Sequence, residues 1–281
     1  MRPGPNPKRT RADSGIRRDV LRLESMVSRH VSQPGNREAT EWLCERVAAI
    51  GWRPLRDAFK YQGRAYENVL VEVPAAESAR TGQSTSKSGS RIVLLLAHFD
   101  TIAKPPDRAP GADDNASGCA ILLNLLEGFR RGDPSPRCRV TVCFTNAEEP
   151  GQHGSRHLAK RYKSGGRRID AVVNLDAVGT WPRPLGKGGA LNFVTNEASR
   201  GLIKGLQRVL PFPIKKASED WQDDHAMFWE QGYRAIEFTE PGCTPVMHQA
   251  GDTSEKLDFK SLARVATGLR GAFENVTWID V

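Results

Sequence analysis

From about residue 67 onward, short apolar runs of strand length alternate with longer runs whose apolar residues recur every three or four positions. This alternation restricts the fold more than any other feature. The strand-like runs are NVLVEVP, RIVLLLAHF, RVTVCFTN, DAVVNLDAVG, ALNFVTN and RAIEFTE. Between them lie SGCAILLNLLEGFRRG, GSRHLAKRYKSGG, ASRGLIKGLQRVL and DHAMFWEQG, and FKSLARVATGLRGAFENV closes the series. A strand repeats its faces every two residues and a helix every 3.6, so the two kinds of run are separable by period. Such an alternation predicts an α/β fold: a single domain with a doubly wound, mostly parallel mixed sheet and helices on both faces. No internal repeat at solenoid or propeller periods is visible.

Ahead of this region, Val20, Leu23, Met26, Val27 and Val31 recur at helical spacing, and NREATEWLCERVAAIG reads as a helix closing on Gly51. Residues 1–15, dominated by Pro, Gly, Lys and Arg, are expected to form a disordered basic arm, with residues 16–281 as the folded domain. The stretch 75–90, rich in Ser, Gly and Thr, reads as a surface loop between strands.

Lys and Arg total 41 against 33 acids, a net +8. The excess sits in the N-terminal arm and in scattered pairs such as Arg130/Arg131, Arg167/Arg168 and Lys215/Lys216, without interleaved aromatics, so nucleic acid is not the expected partner. The longest uncharged apolar run, IVLLLA, is too short for a bilayer, and the basic N-terminus lacks the apolar segment of a signal peptide. No membrane partner and a cytoplasmic location are expected; nothing in the residues sets an oligomeric state. Five widely spaced cysteines without a C-x-x-C pair read as reduced thiols, not as a disulfide framework or a thiolate zinc site.

The apolar runs share one property. IVLLLA runs into His98 and Asp100, VTVCFT into Glu148 and Glu149, AVVN into Asp176, and AIEFTE leads through PGCTPVM to His248. In a doubly wound sheet, ligands bind outside the carboxyl ends of the strands. One acid at one turn is ordinary; four strand ends delivering acids and imidazoles to one edge form a site.

His98 and Asp100 are two apart, so on an extended backbone their side chains share a side, and Asp100 can accept the proton on the second imidazole nitrogen. Glu148 and Glu149 are adjacent and point apart, which suits different tasks. Asp114, Glu149 and Asp176, joined by Asp100 and Glu148, would gather more negative charge than a desolvated crevice tolerates without cations. Imidazole and carboxylate donors without sulfur suit zinc.

The blocks AHFD, PGADDNASG, NAEEPGQHGS, NLDAVG and MHQAGDT, in that order, resemble the di-zinc exopeptidases that include the bacterial leucyl aminopeptidases, with glutamate carboxypeptidases and glutaminyl cyclases as relatives. The resemblance covers about residues 65 to 280 and implies the zinc exopeptidase fold, phosphorylase/hydrolase-like, with a peptide as substrate. It also implies two zinc ions per chain: His98 and Asp176 on one, Glu149 and His248 on the other, and Asp114, which precedes the Ser117-Gly118 pair by three, bridging both. By the same resemblance Glu148 is the general base, Asp100 supports His98, and a cis peptide follows Asp114. Bottom-up chemistry agrees: a carboxylate such as Glu148 can take a proton from a water polarised by two cations and return it to the leaving amine.

Beyond that set, DWQDDHAMFWEQG resembles the family's SDH block with Asp223 in place of the usual Ser. Asp224 and His225 either line the cleft and support the metals or simply begin a helix. His153 and His157 read as surface helix residues, Met227, Phe228 and Trp229 as core, and Trp181 as either a pocket wall or packing. An aminopeptidase is the expected activity. The alternatives are a single-zinc glutaminyl cyclase relative, against which NAEE replaces the DGEE form, a carboxypeptidase of the same fold, and a catalytically inert binding module.

Overall fold

A computed structural model of the chain describes residues 11–76, 91–185, 187–218, 221–241 and 245–280. Eight strands form one sheet in the order β1-β2-β4-β3-β5-β8-β6-β7. They are β1 (Leu55–Tyr61), β2 (Arg64–Val73), β3 (Ile92–His98), β4 (Arg139–Thr145), β5 (Ala171–Leu175), β6 (Leu191–Thr195), β7 (Ile214–Lys216) and β8 (Ala235–Thr239). The central strands β4, β3, β5 and β8 run parallel, while β1, β2 and the β6–β8 pair add antiparallel junctions. The mixed, doubly wound sheet expected from the alternation is therefore the one observed.

Seven helices cover the sheet among the described residues: α1 (Arg11–Glu24), α2 (Pro34–Ile50), α3 (Gly118–Arg131), α4 (His153–Ser164), α5 (Arg200–Val209), α6 (Asp224–Trp229) and α7 (Phe259–Ala272). Alternate residues of β3 show why both faces are covered. Val93, Leu95 and Ala97 join the apolar cluster under α1, α2, α3, α5 and α7, whereas Leu94 and Leu96 join the cluster under α4 and α6. From β3 the chain crosses through α3 to β4 on one side, then through α4 to β5 on the other side, so the strand order reverses about β3.

Two local expectations change. Arg11 to Gly15, assigned to the disordered arm, begin α1, because Ile16, Val20 and Leu23 bury one stripe of that helix completely. Residues 1–10 lie outside the described residues, as do residues 77–90 of the expected surface loop. The same helix ends at Glu24 instead of continuing to Val31: Val27 adopts a left-handed conformation (φ 66°), and the chain turns so that Arg29 enters the interior. The β1–β2 hairpin also escapes the apolar pattern. Its first strand, LRDAFKY, breaks the apolar alternation with Arg56, Asp57 and Lys60, and Gln62 and Gly63 (φ 45° and 76°) make its turn.

Candidate metal centre

Parallel register brings the site together before any loop is considered. His98 at the end of β3 lies beside Thr145 at the end of β4, and β5 delivers Asp176 one residue past its last strand position. Asp114 comes from a widened helical turn, Ala112–Ser117, whose dihedrals at Asp114 (φ −109°, ψ 91°) are extended. Asn115 fastens this turn to the exit of β5, donating through Nδ2 to the Leu175 carbonyl at 2.7 Å. The Asp114–Asn115 peptide is cis, as the resemblance implies.

The imidazoles and carboxylates then meet. His98 Nε2 is 3.1 Å from Asp114 Oδ1 and 3.2 Å from Asp176 Oδ1. His248 Nε2 is 3.0 Å from Asp114 Oδ2 and 3.4 Å from Glu149 Oε2. Asp114 thus turns one oxygen to each imidazole. A single ring nitrogen carries one proton at most, yet each Nε2 here faces two carboxylate oxygens. In a tetrahedral zinc site with donor bonds of about 2.0–2.1 Å, neighbouring donors lie about 3.3 Å apart, which is the spacing of both sets. The residues present fit zinc, and Glu149 Oε1, buried without a hydrogen-bond partner, adds a donor.

The electrostatics point the same way. Burial alone would raise the Asp114 carboxyl, but the imidazoles of His248 and His98 outweigh it and hold that group below the ordinary range. Burial lifts Glu148 and Glu149 well above theirs. His98 is pushed up against its own desolvation by Asp176, Asp100 and Asp114. The cluster on its own demands positive charge.

Asp100 differs in detail from the expectation. His98 Nδ1 is 3.2 Å from the Asp100 carbonyl oxygen and 3.6 Å from its carboxylate, so the backbone carbonyl, not the side chain, sits at hydrogen-bond distance. The carboxylate instead accepts the backbone N–H groups of Glu148 (3.0 Å) and Glu149 (3.2 Å) and so orients the Glu pair. The turn needs this support because Ala147 has φ 55°. Gln152, Ala177 and His248 are left-handed as well, so backbone strain gathers around the donor residues.

A cavity of about 220 Å³ opens on the cluster, lined also by Glu148, Gln152, Ala177, Trp221, Asp223, Glu237, Thr239 and Met247. Gln152 Nε2 donates to Glu148 Oε1 at 2.9 Å. Asp223 and Glu237 lie with Asp176 in a second close carboxylate group. Burial and the neighbouring Glu237 push Asp223 up to about 10, and burial lifts Glu237 as well. The reading of the residues passed over Gln152 and Glu237, although a carboxylate inside the buried strand AIEFT was a signal.

Several candidates fall elsewhere. Asp224 and His225 are buried and do not themselves line the cavity; the Thr145 hydroxyl donates to Asp224, and His225 Nδ1 lies 2.8 Å from Glu237 Oε2 behind the cavity wall. The His153 ring packs at a tilt on Tyr61, and His157 Nε2 faces Asp57 at 3.3 Å. Trp181 packs against the main core, while Met227 and Phe228 are core. Cys44, Cys119, Cys138 and Cys143 are free thiols. Among the described residues no helix is long and apolar enough to cross a membrane.

A doubly wound sheet whose carboxyl edge assembles this donor set defines the class of the α/β metallohydrolases. Within it, the chain belongs to peptidase family M28, whose profile matches residues 79–272, and it is therefore a peptidase. A probable leucine aminopeptidase of Trichophyton verrucosum is 27% identical over 270 residues, covering 90% of this chain and 71% of that protein. The Legionella pneumophila LapA aminopeptidase superposes with a TM-score of 0.74 at 16% identity, over 92% of this chain and 70% of LapA. A glutaminyl cyclase of Fimbriiglobus ruber superposes with a TM-score of 0.75 at 20% identity, over 98% and 99% of the two chains. These structural likenesses speak for the fold.

Proposed function

We propose that the protein is a two-zinc aminopeptidase that removes N-terminal residues from peptides. His98 and Asp176 would hold one zinc and Glu149 and His248 the other, with Asp114 shared between them. The observation that carries this reading is the pair of Nε2 atoms, each facing two carboxylate oxygens, with Asp114 between them. The names of the sequence relatives support the same activity. Bound zinc supplies Lewis-acid chemistry, acidifying water and polarising a carbonyl. Glu148, buried at the cavity and held by Gln152, takes the proton from the attacking water and passes it to the leaving amine. Its raised proton affinity suits a group that must carry that proton between the two.

The choice of amino- over carboxypeptidase follows from charge. Asp114, Glu148, Glu149, Asp176, Asp223 and Glu237 line the cavity, and none of its described lining residues is Lys or Arg. Such a lining receives a terminal ammonium, whereas a terminal carboxylate would find no Lys or Arg to pair with. Ala177, Trp221 and Met247 give the first side chain an apolar wall.

Metal analysis followed by a peptide panel tests the reading. Two zinc equivalents per chain, with chelator-sensitive cleavage of peptides bearing a free N-terminus, are expected. Cleavage of N-blocked peptides alone would overturn it. One zinc with ammonia release from N-terminal glutamine would instead select the cyclase reading.

A further inference from the structure

Arg29 is the most deeply enclosed cation of the described chain, with no exposed surface. Its guanidinium meets no carboxylate at hydrogen-bond distance and donates instead to four backbone carbonyls: Nε to Phe99 at 2.7 Å, Nη1 to Pro110 at 2.6 Å and Leu23 at 3.1 Å, and Nη2 to Gly111 at 2.8 Å. Phe99 lies between His98 and Asp100, and Gly111 opens the turn that carries Asp114. One side chain therefore spans two of the segments that bring donors to the metal centre. The Arg29 backbone N–H adds a bond to Thr101 Oγ1 at 3.0 Å.

The backbone of the same residue reaches a third donor loop, the one after β4. Asn36 Nδ2 donates to the Arg29 carbonyl at 2.9 Å and to Asn146 Oδ1 at 2.8 Å, and Asn146 Nδ2 returns a bond to Asn36 Oδ1 at 3.1 Å. Asn146 Oδ1 also accepts the N–H of Ala147, the residue before the Glu pair. The approach leaves no room for side chains. A Cβ on Gly111 would lie 2.9 Å from Arg29 Nη2 and 2.4 Å from the Asp114 carbonyl, and one on Gly35 would lie 2.1 Å from the Ser28 carbonyl.

We infer that Arg29 is a positioning residue that pre-forms the metal centre, its guanidinium clamping the Phe99 and Pro110–Gly111 carbonyls so that His98 and Asp114 face each other before any ion arrives. A buried guanidinium persists only when its donors are met, and a carbonyl stripped of its donor in the interior costs free energy as well, so the clamp has one stable geometry. Lysine keeps the charge but presents its donors from a single atom and cannot serve Phe99, Pro110 and Gly111 together. The inference rests on the two-zinc reading, and it gives the segment before residue 79, outside the family profile, a task in the chemistry.

The test is titration of the metal-free protein with zinc, and with cobalt(II) followed through its visible absorption, for wild type, Arg29→Lys, Arg29→Met and Thr101→Val, each checked for cooperative unfolding. Expected is a loss of metal affinity of about 10 to 100-fold in Arg29→Met, an altered cobalt spectrum, and a lower kcat at saturating zinc with KM little changed. Arg29→Lys should recover only part of the affinity, and Thr101→Val should lose a smaller part. Wild-type affinity and spectrum in folded Arg29→Met, or full recovery in Arg29→Lys, would overturn the inference. Should Arg29→Met not fold, weakened binding in both Arg29→Lys and Thr101→Val supports it, and wild-type binding in either overturns it. A wild-type chain that binds neither metal overturns the two-zinc reading and this inference with it; tight wild-type binding shared by every variant overturns this inference alone.

Discussion

The carboxylate of Asp252 accepts the backbone N–H of Asp114 at 3.1 Å and that of Asp113 at 2.9 Å, so the loop that carries His248 also holds the backbone from which Asp114 projects. Asp252→Asn leaves one acceptor for two amides, and Asp252→Ala leaves both unmet. We expect zinc affinity to fall by about 10 to 100-fold in Asp252→Ala and less in Asp252→Asn. Competition with a chelator of known affinity checks this, and equal affinity in all three proteins would contradict it.

Glu148→Gln keeps the size of the side chain and removes its basicity. Turnover should fall by about 100 to 10,000-fold, with zinc content and the circular dichroism spectrum unchanged. Retained turnover would assign proton transfer to another group.

His225 is buried with its Nδ1 2.8 Å from Glu237 Oε2, and burial lowers its pKa to about 4. An unfolded histidine takes up its proton near pH 6.5. As pH falls from there toward 4, the unfolded chain is protonated while the folded chain is not, so this group's contribution to stability is lost across that window. The loss amounts to about 3 kcal/mol, at about 1.4 kcal/mol per pH unit. Urea unfolding of the metal-free protein at pH 7 and pH 5 should show a smaller decrease in His225→Asn than in wild type. Parallel decreases would show that His225 is not buried uncharged.

Burial pushes the thiols of Cys119 and Cys138 up to about 12, and Cys143 well above its ordinary value. Since the thiolate is the reactive form, a thiol reagent at pH 8 should leave these three untouched until denaturant is added. Peptide mass analysis before and after unfolding decides the matter.

Val27 holds a left-handed conformation (φ 66°) and is 58% exposed. For a β-branched residue that conformation costs about 1–2 kcal/mol, and asparagine tolerates it better. Val27→Asn should therefore stabilise the protein by about 1 kcal/mol in denaturant titration. A destabilised variant would mean that the Val27 methyls make contacts worth more than the strain.

His98, Glu149 and Asp176 were legible because each closely follows a short apolar run, and a buried parallel strand writes such a run without interruption; Asp114 and His248 lie further out in loops and were placed by the motif blocks around them. His98, Asp114, Glu149, Asp176 and His248 do converge. Arg29 left no comparable trace: its carbonyl partners Phe99, Pro110 and Gly111 are 70 to 82 residues away, and carbonyls carry no residue signature. Glu237 hid inside an apolar strand, and β1 was missed because Arg56, Asp57 and Lys60 interrupt its apolar alternation. Met26, Val27 and Val31 keep helical spacing past the end of α1, so period alone could not show where the left-handed turn begins.

The reversal of strand order about β3 has an outcome for variation within this scaffold. Strands β4 and β5 flank β3 on opposite sides, and the bases of the loops that leave them are pinned by their ladders with it. A tip on one flank can lengthen, shorten or change its side chains without tugging on the other. New substrate preferences can thus be written into the rim while the ion-holding floor stays where the sheet sets it.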